Sequence, residues 1–130
     1  MADVVIVKEW LNKAEDDFRF AESNLLEGNE FFAQICFHFQ QAAEKYLKAY
    51  IINKELKFAK VHDLVHLLKT CATYEILFSE LKEECIILNT AYIETRYPVH
   101  WPTDYSMETA EQAHAAAGKI REIVHNHLNL

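Results

Sequence analysis

Residues 31–52, FFAQICFHFQQAAEKYLKAYII, contain neither glycine nor proline and no turn signal, the longest such run in the chain. Phe32, Cys36, Phe39, Ala43, Tyr46 and Tyr50 recur at alternating steps of four and three, the spacing of one helix face. Ile35, Ala42, Leu47 and Ala49 widen that face on both flanks. An apolar stripe this broad cannot be hidden by a single neighbour. The segment is therefore expected as the central helix of a bundle, enclosed by its own chain or held between that chain and a partner subunit.

The other segments read as elements packed around it. From about Val5 to Leu26, the positions Val7, Leu11, Ala14, Phe18, Ala21 and Leu25 form a seam for antiparallel packing. Asp3 is the expected N-cap, Lys13, Asp16, Asp17 and Glu27 form the solvated face, and Gly28 ends the helix. After the central helix comes a polar, basic connector, KELKFAKV. It leads to a third helix of about three turns beginning at His62, Asp63 and Leu64 and ending by Thr73. A fourth helix is predicted from about Phe78 to Thr95, burying Phe78, Leu81, Cys85, Leu88 and Tyr92, with Ser79 or Thr73 as its cap. The fifth spans about Ser106 to His127. Its Ala110, Ala113, Ala117, Ile120 and Val124 allow close helix approach, and Ser106 with Thr109 is a partial capping signal. The expected fold is all-α, an up-and-down antiparallel helical bundle of four long helices and one short one, forming a single domain over residues 1–130.

Composition narrows the function classes. With 20 acidic and 13 basic residues the formal net charge is -7, which excludes a general positive field for coating nucleic acid. Any phosphate site has to be local. Lys45, Lys48, Lys54, Lys57 and Lys60 fall close together in sequence, and a solvated helix end is the more economical reading of that run. Cys36, Cys71 and Cys85 occupy apolar helical positions without CxxC spacing, which suits reduced core thiols in a cytoplasmic protein. No run approaches the length of a membrane span, and no membrane association or cofactor is expected. His62 and His66 stand four apart, a spacing that can place two imidazoles on one metal ion. No third ligand lies nearby, Asp63 suits a helix cap, and the paired Glu-x-x-His signature of di-iron bundles is missing, so no metal is expected.

The chemically unusual segment is RYPVHWPTDY, from Arg96 to Tyr105. Pro98 and Pro102 forbid a continued helix there, while an arginine, a histidine and several aromatic residues crowd together.

Four of these features occur in a recognisable order: WLNKAEDDF at 10–18, QQAAEKYLKA at 40–49, HDL at 62–64 and RYP at 96–98. From Trp10 to about Val124 the chain resembles HEPN-domain proteins of the type associated with minimal nucleotidyltransferases. The resemblance implies a helical bundle that forms a homodimer and works beside a separately encoded nucleotidyltransferase in a toxin-antitoxin-like system. Some relatives are metal-independent endoribonucleases whose arginine and histidine meet their copies across a dimer cleft. On that pattern Arg96 and His100 are the catalytic candidates. Arg96, Tyr97, Trp101, Tyr105, Lys57 and Lys60 are the candidates for contacting nucleotide or RNA.

The chemistry explains why two subunits would be needed. Cleavage without metal requires a base for the 2′-hydroxyl, an acid for the leaving oxygen, and positive charge on the phosphate. One arginine and one histidine are too few, and a two-fold dimer supplies two of each. Here the pair is separated by Tyr97, Pro98 and Val99, one residue fewer than in the nuclease pattern, and no polar residue follows Arg96. The tyrosine that is modified in some nucleotidyltransferase-linked relatives falls at Pro102. The favoured expectation is a dimeric module binding nucleotide or RNA phosphate, and the alternative is an endoribonuclease with a composite Arg96/His100 site.

Overall fold

The computed structural model describes the backbone of residues 2–96 and 105–130, and the side chains of the same residues except 92–96. In order, the elements are α1 (Val4–Leu26), α2 (Phe32–Asn53), α3 (Leu64–Ala72), a 3-10 segment (Ile76–Leu81), α4 (Lys82–Arg96) and α5 (Met107–His127). This is the expected all-α architecture, and no strand occurs among the described residues.

Local chemistry sets most of the boundaries. Asp3 caps α1 by accepting a hydrogen bond from the Val5 amide at 2.9 Å. Gly28, at φ 81°, supplies the left-handed turn that ends α1, a conformation a side chain would disfavour. Ser106 and Thr109 form a complete capping box at the start of α5. The fourth helix begins later than its pattern suggested. Residues 76–81 wind as a 3-10 segment capped by Glu75, which accepts from the Leu77 amide, rather than by Ser79 or Thr73. Phe78 and Leu81, three apart, share one side of that tighter winding and are both buried.

Enclosure of α2 comes from its own chain. Phe39, Ala43, Tyr46, Leu47 and Ala49 have no exposed surface, and α2 packs against α1, α3, α4 and α5. Phe18 of α1 and Leu88 of α4 are likewise buried. Phe18 meets Phe39 edge-on at 5.5 Å between centroids, and His114 of α5 stacks on the same ring at 5.2 Å.

The direction of α3 could not be read from periodicity. Gln40 donates to the His62 carbonyl at 3.3 Å, Cys71 Sγ approaches the Leu47 carbonyl at 3.8 Å, and Tyr50 contacts Phe78 at 4.5 Å. Residues 54–63 therefore run back along α2, and α3 climbs parallel to it. α4 descends antiparallel, and α5 climbs again until Asn129 bonds Asn53.

Asp63 fastens this return. Its carboxylate accepts from the Val65 amide at 3.0 Å and from the Asn89 amide group at 2.8 Å, while Asn89 Oδ1 accepts from the Leu64 amide. Asp63→Ala removes the cap and half of the α3–α4 tie. It is expected to cost about 1–2 kcal/mol in urea unfolding, at the upper end for a lost N-cap; a change below about 0.3 kcal/mol would mean the cap contributes nothing.

Candidate functional site

The candidate residues divide between two regions. α4 carries the Arg96 backbone to the end of the bundle where α2 and α5 begin. The Arg96 side chain and all of Tyr97, His100 and Trp101 lie outside the described residues, as does the Tyr92 side chain. Tyr105 is half-buried and packs against the core just ahead of α5. Lys57 and Lys60 are on the return connector, Lys57 exposed and Lys60 at its far end. About 10 Å of helix separates Asn89, which contacts Asp63, from Arg96, and the connector lysines lead away from His62 in the opposite direction. The Arg96 backbone therefore lies at a different level of the bundle from Lys57 and Lys60.

The basic run is broken up by separate partners. Lys48 is buried and donates to Glu44 at 3.0 Å, Lys45 pairs with Asp17, and the Lys54 ammonium lies 5.2 Å from the Tyr74 ring centroid. Asp17, read from sequence as solvated, also contacts His38 at 3.0 Å. His62 precedes α3 and is not on its helical surface, so the spacing to His66 is not a helical pair. Its Nδ1 lies 3.0 Å from Glu44 Oε1. No group of three or more His, Cys, Asp or Glu among the described residues is arranged to hold a metal ion.

Sequence reasoning missed three arrangements. The first is a polar line on the central helix, Gln40, Glu44 and Lys48, buried beneath the return connector. Trp10 and Phe58 cover it, with the Lys48 ammonium 5.7 and 5.8 Å from their ring centroids. The four-residue spacing was visible in the sequence, but burial of that face was not, because it depends on where residues 54–63 travel.

The second joins α1, α2 and α5. Arg121 donates to both carboxylate oxygens of Glu15, at 2.6 and 3.1 Å, the Tyr46 hydroxyl donates to the same carboxylate, and His125 lies 3.2 Å away. Burial alone would raise the Glu15 pKa. The bonds from Arg121, Tyr46 and His125 outweigh that effect and hold it at about 2. Burial and the Glu15 carboxylate push the Tyr46 hydroxyl well above its ordinary range. Arg121, Tyr46 and His125 all converge on the one carboxylate, so this cluster ties three helices together.

The third is a cavity of about 210 Å³ between α4 and α5. Its floor is Cys36, Leu88, Ala91 and Ala113. Thr90, Thr109 and Gln112 stand at its polar rim, and Tyr105 lines its wall. Cys36, Cys71 and Cys85 are all buried free thiols. Burial raises each of them, Cys36 and Cys85 to about 12, so Cys36 presents a neutral thiol to the cavity. Ile86, Ile87 and Met107 remain exposed on the same two helices.

A family model for the HEPN domain matches residues 7–127, and the chain belongs to the HEPN family. TT1696 from Thermus thermophilus has the same fold, with a TM-score of 0.81 and 31% identity over 92% of this chain and 96% of that one. ST0689, an archaeal HEPN homologue, has a TM-score of 0.76 over 95% of this chain and 98% of its own; at 24% identity it supports the fold alone. No curated protein matches the chain. No helix among the described residues is long and apolar enough to cross a membrane.

Proposed function

We propose that this chain is a single-domain, homodimeric HEPN module of the cytoplasm that partners a separately encoded nucleotidyltransferase and holds the phosphate of a nucleotide or RNA near Arg96. The observation that carries the reading is the chemistry gathered at the α4–α5 end. A helix terminus bearing an arginine, a cavity with a polar rim, and the exposed Ile86, Ile87 and Met107 all belong to the same pair of helices. Uncovered aliphatic groups beside a basic residue suit a second copy of the chain, and pairing two copies doubles the cations available to a phosphate. Membership of the family supports the nucleotidyltransferase partnership, and the buried free thiols suit a reducing compartment.

Binding and cleavage are expected to separate. The sequence keeps the positive charge, while the Arg96–His100 spacing is one residue shorter than in the nuclease pattern and Pro98 interrupts it. Arg96→Ala should weaken nucleotide or RNA binding by about 1–3 kcal/mol, the scale of a charge-assisted contact, and His100→Ala should change binding little. The deciding assay uses protein purified without its partner. Metal-independent RNA cleavage abolished by His100→Ala would establish the endoribonuclease instead, and unchanged binding in Arg96→Ala would remove that residue from the site. Sedimentation giving a mass near the 15.2 kDa of one chain at micromolar concentration would exclude the dimer and any composite site.

A further inference from the structure

We infer that the groove between α3 and the 3-10 segment docks an acidic segment of a partner protein, which inserts one aliphatic side chain between Lys69 and Lys82. The place is separate from the candidate site at the α4–α5 end: Lys82 opens α4 and Arg96 closes it, about 21 Å of helix rise apart.

Two rows of residues build the groove. On α3, Val65, Leu68, Lys69 and Ala72 follow the spacing of one helix face. Across from them stand Ser79 and Lys82, and the three-residue turn of the 3-10 segment puts Ile76 in the same row. Between the rows is a cavity of about 170 Å³. That is close to the ~150 Å³ of an apolar cavity that takes benzene, the scale of one branched side chain, and below the ~300 Å³ at which pockets for drug-sized ligands begin. Leu68 is buried and Val65 and Ala72 are half-buried, while Ile76, 74% exposed, extends the apolar surface beyond the cavity.

Charge decides what kind of segment fits. Lys69 and Lys82 are both exposed, and neither forms an ion pair among the described residues. No carboxylate borders the cavity among those residues. In a chain of net charge -7, two unpaired ammonium groups at one apolar opening make a local positive site. Their stems line the opening while the charged heads stay in water, so a partner meets an apolar centre inside a basic rim. Carboxylates flanking an aliphatic anchor complement both parts. The Ser79 hydroxyl donates to the Ile76 carbonyl at 2.7 Å, which leaves its lone pairs to accept a partner's backbone amide. Val65 to Ala72 spans about 10 Å of helix rise, the reach of about three extended residues, so a short segment suffices. No aromatic ring borders the cavity among the described residues, so a nucleic-acid base finds no stacking face. Two lysines are also fewer than the ~4–8 basic residues of a cluster that holds an anionic membrane.

The test is an amide NMR titration of the full chain with the capped pentapeptide Glu-Glu-Leu-Glu-Glu. Saturable shifts should centre on Val65, Leu68, Ala72 and Ser79. Replacing the peptide's leucine by glycine, or its glutamates by glutamine, should each weaken binding about tenfold. Lys69→Glu combined with Lys82→Glu should weaken it about tenfold or more and make Lys-Lys-Leu-Lys-Lys the tighter ligand, a reversal that loss of folding would not produce. Ala72→Leu, which occupies part of the cavity, should weaken the leucine peptide about tenfold and leave the glycine peptide unaffected, with circular dichroism unchanged. The absence of shifts in this region at roughly 10 mM peptide, tenfold above a millimolar Kd, overturns the inference. Shifts indifferent to the leucine and to both lysines do the same. Phosphatidylserine vesicles or an oligouridylate engaging these lysines in place of the peptide would overturn it in favour of a membrane or RNA surface. Movement of the same signals when the chain alone is concentrated would overturn it too, by seating a second copy over the groove.

Discussion

Replacing Glu44 by leucine is expected to destabilise the folded chain by about 3–5 kcal/mol, the scale for breaking a buried ion pair from one side. Glu44 and Lys48 keep only 5% and 7% of their side-chain surface in contact with solvent. The carboxylate divides its oxygens between two partners, the Lys48 ammonium at 3.0 Å and His62 Nδ1 at 3.0 Å. Without it, the ammonium remains under Trp10 and Phe58, and those ring faces replace only a fraction of its lost hydration. His62 also loses the contact that holds the end of the return connector against α2. Because the penalty belongs to the unpaired cation, the double replacement Glu44→Leu with Lys48→Met should recover most of the loss. Urea unfolding with matched m-values measures both effects. A single-mutant cost below about 1 kcal/mol would mean that water reaches the pair.

Acid should weaken the α1–α2–α5 tie through Glu15 as pH falls from about 4.5 to about 2. The folded-state pKa of about 2 lies under the ordinary value of 4.5. A depressed carboxylate contributes stability that is fully present above the unfolded value and is lost as pH falls from about 4.5 towards 2. Glu15 is 25% exposed and Arg121 40%, so solvent screening reduces the contribution to about 2 kcal/mol. Glu15→Gln should lower stability by about that amount at neutral pH and flatten the stability profile between pH 4.5 and 2. The two profiles should converge near pH 2; parallel curves across the window would show that Glu15 does not titrate with folding.

Glu44 and Glu15 are groups that helical periodicity alone does not single out. The stripe of Phe39, Ala43, Tyr46 and Tyr50 made α2 the legible centre of the chain, since burying one helix face forces a three-four spacing of apolar residues. The seam from Val7 to Ala21 was legible for the same reason, and Asp3, Gly28 and Ser106 were legible because a cap acts on the backbone immediately beside it. The all-α class follows from those local signals, whereas the family was legible in the segments at 10–18, 40–49, 62–64 and 96–98 and is shown by the match over residues 7–127. At the candidate site, the sequence located Arg96 and its proline-flanked neighbours as a chemically unusual loop, without indicating that a cavity floored by Cys36 and Ala113 opens beside Tyr105.

Tertiary structure alone decided what residues far apart in the chain do to one another. The direction of residues 54–63 turned Gln40, Glu44 and Lys48 from an ordinary polar face into a buried line, because burial is a property of what lies on top. Convergence of α1 and α5 on Tyr46 depressed Glu15, since a pKa responds to charges and donors in space whatever their separation in sequence. Amino-acid sequence by itself determined which faces had to be hidden and where helices start and stop, since those depend on contacts within a few residues. Which helices cover them, with what buried charge and around what cavity, depended on packing the whole chain at once.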